Sequence, residues 1–155
     1  MDKSIIQHWN EQEIVGGLDC LVNKDGSVVL FSCYVRDENE KQLNFCIPFC
    51  DTTVNSLEKY NKDLWTQIDI FTNKWQTETG DTIMGGEGSM GNQGFIVCVD
   101  TNNDFKWSLF FLNSNPFYQI SVVNNELYAQ SSYNLLYKIN LKDPSIIQIE
   151  PKEWS

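Results

Sequence analysis

Phe105-Lys106-Trp107-Ser108-Leu109-Phe110-Phe111-Leu112, Asn113-Ser114-Asn115-Pro116, Phe117-Tyr118-Gln119-Ile120-Ser121-Val122-Val123, Asn124-Asn125 and Glu126-Leu127-Tyr128-Ala129-Gln130-Ser131 follow one another without interruption. Aromatic and β-branched runs too short for helices alternate with segments of turn chemistry, and asparagine, serine and proline in the gaps close the chain back on itself. The stretch predicts three consecutive antiparallel strands. Outward from it the same grammar continues. Phe95 to Asp100 precedes Asn102-Asn103-Asp104, while Leu135 to Leu141 and Ile146 to Ile149 follow, separated by Ser132 to Asn134 and by Asp143-Pro144.

The first third reads the same way. Glu13 to Val22, Ser27 to Val35 and Gln42 to Phe49 predict a three-stranded meander, with Asp25-Gly26 in a tight hairpin and a longer charged tip over Arg36 to Lys41. From Asp51 the period changes. Val54, Leu57, Tyr60 and Leu64 recur at three- and four-residue spacing behind Asp51, Thr52 and Thr53, any of which can cap a helix, so one short helix is expected near 52–62. Trp65 to Trp75, alternating around Ile68, Ile70 and Thr72, predicts another strand. The sum is a mainly β chain, an antiparallel sandwich or partly open barrel of about ten short strands with that one helix, in a single domain over 1–155.

Twenty-one acidic residues against eleven basic ones give a formal charge of −10, spread along the chain. Such a field repels nucleic-acid phosphates and anionic lipid and attracts basic partners. No apolar run near the start has the length of a signal peptide's hydrophobic region or a membrane span, so a cytoplasmic address is expected. The five cysteines, Cys20, Cys33, Cys46, Cys50 and Cys98, are odd in number and mostly lie in strand-like stretches. Reduced, buried thiols are the expectation.

Catalytic constellations are hard to assemble from these residues. Gly86-Glu87-Gly88-Ser89-Met90-Gly91 matches the G-x-G-x-x-G pattern, but Phe95-Ile96-Val97-Cys98-Val99 after it reads as a strand and not as the helix that holds a pyrophosphate, so 85–94 is read as a flexible loop. His8 is the only histidine, which leaves little for a triad or a zinc site and predicts surface placement. Asp69, Glu78, Asp81 and Glu87 offer carboxylates for glycosidase-type pairing, as any strongly acidic chain would. Of the tryptophans, Trp107 reads as core, and Trp9 and Trp154 as the exposed pair. No enzyme activity, cofactor or metal is expected.

The run Gly85-Gly86-Glu87-Gly88-Ser89-Met90-Gly91, then Gly94-Phe95-Ile96, then Trp107-Ser108-Leu109-Phe110-Phe111 with Asn113-Ser114-Asn115-Pro116-Phe117, resembles the small immunity proteins of bacterial contact-dependent inhibition and polymorphic toxin systems. Glu126 to Ser131 followed by Leu136 to Leu141 is also similar to one blade edge of a propeller repeat, and a single blade cannot close a ring. The first resemblance covers 85–149 and implies a protein that binds a cognate basic toxin domain, often a nuclease, and occludes its active site. The expected contacts are Asp37, Glu38 and Glu40 at the hairpin tip, Asp100 and Asp104 beside a second turn, and Trp75 as aromatic anchor. A carbohydrate-binding or carbohydrate-active β domain is the alternative, resting on the tryptophans and the acids. An accessory domain recruiting a strand at a sheet edge is the third.

Overall fold

The structure is a computed structural model that describes residues 2–35, 44–132 and 134–151. It is mainly β and antiparallel throughout, a sandwich to which a third layer has been added.

The central sheet has the order β4 (Phe45–Thr53), β3 (Ser27–Tyr34), β2 (Cys20–Asn23), β10 (Phe105–Phe111), β9 (Gly94–Val99), β8 (Thr82–Glu87), β6 (Asp69–Ile70), and β7 (Trp75–Gln76) also pairs with β8. The second sheet is a plain meander of β11 (Phe117–Val123), β12 (Glu126–Ser131), β13 (Leu135–Asn140) and β14 (Ile147–Pro151). Leu21, Phe31, Ile83, Ile96, Leu109 and Phe111 point from the central sheet into a shared core with Phe117, Ile120, Leu127, Leu135, Tyr137 and Ile139 of the meander. Residues of the opposite parity, Val22, Val28, Phe95, Val97 and Val99, face a second core. That core is closed by Ile5 of helix α1 (Lys3–Asn10), Ile14 and Val15 of β1 (Glu13–Val15), Val54 of helix α2 (Val54–Tyr60), Leu64 and Ile68. Each large apolar side chain buried this way stabilises the fold by roughly 1.5–3 kcal/mol.

Several expectations are corrected. The chain from Glu13 to Val22 is two strands: β1 leaves the central sheet to pair with β5 (Trp65–Gln67), and β2 stays in it. The break falls at Gly16-Gly17. Gly17 has φ +74, and a Cβ on Gly16 would run into the Thr66 side chain. A helix was missed at the start, although Asp2 caps it by accepting from the Ile5 amide at 3.2 Å and Ile5 and Trp9 fall one turn apart. The expected helix is α2, capped by Thr53, whose hydroxyl accepts from the Ser56 amide at 3.1 Å.

Trp65 to Trp75 is not one strand but three short ones, β5, β6 and β7. The chain bends where the Phe71 and Thr72 amides both donate to the Gly85 carbonyl, at 2.9 and 3.1 Å. The glycine-rich segment is likewise more ordered in pattern than a loop: Gly85 and Gly86 are buried inside β8 and Gly94 opens β9. A Cβ on Gly86 would collide with the Asp69 carbonyl, and one on Gly85 would sit 2.7 Å from the Phe95 carbonyl oxygen. Close backbone approach selects glycine here.

Cys33 and Cys46 are register partners on β3 and β4 and form a disulfide, with Cα atoms 4.2 Å apart. Cys50 is exposed, and only Cys20 and Cys98 are the buried free thiols expected of all five. No helix among the described residues is long and apolar enough to cross a membrane.

Candidate functional site

Register places three turns of the central sheet at one end. Val22 pairs with Val28, so Asp25-Gly26 turns there; Phe105 pairs with Val99, bringing 100–104 beside it; Gln76 pairs with Thr82, bringing 77–81 next in line. The amide of Lys24 donates to the Lys106 carbonyl at 3.0 Å and ties the first turn to the second. Five carboxylates ride on these turns: Asp25, Glu78, Asp81, Asp100 and Asp104.

Their surroundings differ. The Ser27 hydroxyl and amide, at 2.7 and 2.9 Å, hold the Asp25 carboxyl below its usual range, so it stays ionised. Asp100 builds its own turn, accepting from the Asn102 and Asp104 amides at 2.8 and 3.0 Å. Asp81 is paired with Lys106 at 2.6 Å, and this hydrogen bond raises the lysine above its ordinary value. Glu78 and Asp104 are exposed.

Beside this end a cleft of about 850 Å³ opens between the two sheets. Ile83, Cys98, Trp107, Val122 and Leu141 line its depth, Trp75 one wall, and Gln76, Thr77, Glu78, Thr79, Asn124, Asn125 and Lys142 its mouth. Both lips are set by tight turns. On one side the Thr77 amide donates to the Asp81 carbonyl at 2.8 Å and Gly80 takes φ +89. On the other Asn124 and Asn125 take φ 52 and 63, the two-residue turn whose twist matches the flanking strands. Asn125 also accepts, through its carbonyl, from the Leu141 amide at 2.9 Å. Burial pushes the Cys98 thiol up to about 12, with the Asp81 charge adding to the effect, so the sulfur in the cleft is a poor nucleophile.

Of the sequence-predicted contacts, Trp75 lines the cleft, half-buried against the core between the sheets. Asp100 lines a smaller groove of about 250 Å³ that shares Gln76 with the cleft, and Asp104 lies in the same turn as Asp100. These three therefore come together at one end. Asp37, Glu38 and Glu40 lie outside the described residues, as does Trp154. Trp9 is corrected from exposed to half-buried: its ring meets Phe105 edge-on, with centroids 6.1 Å apart, and its Nε1–H donates to the Asn103 carbonyl at 3.1 Å. Among the candidate acids, Glu78 and Asp81 share the cleft, whereas Asp69 and Glu87 are register partners at the far end of β8.

His8 is also more engaged than a surface residue. Its ring stacks on Trp65, 3.9 Å between centroids and 4° from parallel, and its Nδ1 lies 2.7 Å from Glu13 Oε1. With Glu11 it makes the one group of three donor residues among those described that is close enough to hold a metal ion, all ligand atoms lying within 4.8 Å of one another.

What sequence reasoning missed is the cleft itself. Trp107 read as core, Asn124-Asn125 as a turn and Lys106 as a strand residue; their convergence depends on how the meander is laid over the central sheet. No family model matches the chain, and no curated protein or solved structure is significantly similar to it.

Proposed function

We propose that the protein binds a cognate basic protein, a toxin domain, and neutralises it by covering its active site, as immunity proteins do. The observation that carries the reading is the gathering of Asp25, Glu78, Asp100 and Asp104, beside Asp81 in its pair with Lys106, on three adjacent turns of a chain with net charge −10. Carboxylates so placed steer a basic surface into contact and present it with charge resembling that of a phosphate backbone. Trp75, at the edge of this end, supplies the rigid aromatic area typical of interface anchors. A cytoplasmic site of action would keep Cys33 and Cys46 reduced, since that compartment reduces thiols, and the two pair at the opposite end of β3 and β4 from the Asp25-Gly26 turn.

The test is co-expression with a small basic toxin domain whose gene adjoins that of this protein. Stable co-purification and restored growth are expected, with an association rate that falls steeply as salt rises. A toxin that remains active and elutes separately contradicts the reading.

A further inference from the structure

We propose that the cleft between the central sheet and the meander is a binding site for a neutral saccharide, a further role for a cleft that shares Trp75, Glu78 and Asp81 with the surface proposed to meet a basic protein. The volume, about 850 Å³, lies within the range of sites that enclose small ligands. Its chemistry is divided as a sugar ring requires. Trp75, half-buried on the wall, offers indole surface to the C–H face of a pyranose, and Trp107, a buried core residue, lines the floor beneath it.

The mouth carries groups that both donate and accept. The amides of Gln76, Asn124 and Asn125 present N–H and C=O together, which is the pattern vicinal hydroxyls satisfy, since each hydroxyl gives one hydrogen bond and accepts others. The Asp81–Lys106 pair adds a fixed acceptor beside a fixed donor, already aligned at 2.6 Å. A purely apolar guest would leave these exposed groups to water and gain no hydrogen bonds from them.

Charge selects further. The whole chain carries −10, yet the cleft is balanced, Glu78 and Asp81 against Lys106 and Lys142. Phosphorylated sugars and nucleotides need an excess of cations or a cradle of backbone amides at a helix N-terminus. The cleft has neither: one of its two lysines is committed to Asp81, and its lining comes from strands and turns. Because the 77–81 and 124–125 turns are both pinned by backbone hydrogen bonds, the lips need little ordering when a ligand enters.

The experiment is a two-dimensional ¹H–¹⁵N NMR titration of the intact protein with cellobiose, chitobiose, maltose and lactose at millimolar concentration, beside glucose 6-phosphate and indole. At least one neutral disaccharide is expected to give saturable shifts at the Trp75 and Trp107 Nε1–H and at the side-chain amides of Gln76, Asn124 and Asn125. Trp75→Ala is expected to weaken that binding about tenfold or more. Asn124→Gly, which keeps a positive-φ turn while removing one amide, is expected to weaken it severalfold with an unchanged thermal midpoint. If no neutral saccharide moves these resonances, or if indole or the sugar phosphate binds better than every disaccharide, the proposal is overturned. Since no protein partner enters the assay, its outcome is independent of the toxin-binding reading.

Discussion

The central sheet and the meander are both antiparallel, yet their sequences look different. In β9 every residue is buried, Gly94 to Val99, because one face packs on the meander and the other on the helices and β1. In β13 burial alternates strictly, Leu135, Tyr137 and Ile139 inward and Leu136, Lys138 and Asn140 outward. A sheet covered on both sides shows a continuous apolar run, and a sheet with one face in solvent shows a period of two. The pattern therefore reports the number of layers above a strand as well as its existence.

The sharpest way to break this comparison is to hollow out the doubly covered strand. Phe95→Ala is expected to cost about 3–5 kcal/mol in chemical denaturation, as a fully buried ring is lost beneath the helical layer. A loss under about 1 kcal/mol would mean that the third layer is not packed on the sheet. Next in size is Gly86→Ala, expected to destabilise by about 1–3 kcal/mol because the new Cβ meets the Asp69 carbonyl in β6. Neutral behaviour at this position would contradict the approach of β6 to β8.

A smaller effect should appear at the joint between the sheets. Asp19 accepts from the Leu112 amide at 2.7 Å, and burial raises its carboxyl above the usual value despite that bond. A carboxyl with a raised folded value binds its proton more tightly folded than unfolded. Its penalty is complete above the folded value and disappears as pH falls through it toward the unfolded value of about 4. Asp19→Asn should therefore gain in thermal midpoint relative to the parent as pH rises from that range to neutrality, and a constant difference would contradict the burial. Least affected should be Lys138→Ala on the open face of the meander. The Lys138–Glu150 pair, at 3.1 Å, is half-buried at most and open to solvent, and no measurable change in midpoint is expected.

Most strands of the second half were legible because each apolar run is bounded by asparagine, glycine or proline, and α2 because its period changes behind a run of cap residues. The first third was less so. The break at Gly16-Gly17 and the division of 65–76 into three strands with two partners, β1 and β8, depend on contacts with Thr66, Gly85 and Asp69 that no local pattern encodes. The Cys33–Cys46 pairing needed the register of β3 against β4, which becomes visible only once the strands are aligned. The site was half legible. Trp75, Asp100 and Asp104, named from the sequence, fall at one end of the central sheet, whereas the cleft is made by two sheets distant in sequence and has no motif.

The central claim is that the acidic turn end makes the contact, and charge reversal at the two ends of the central sheet tests it most directly. With the co-expressed toxin domain as partner, Glu78→Lys/Asp104→Lys is compared with Asp63→Lys/Asp69→Lys, all four positions being exposed. The first pair is expected to lower the association rate constant about tenfold or more at low salt while the second leaves it within about twofold. Equal losses from both pairs, or a larger loss from the second, would contradict the account.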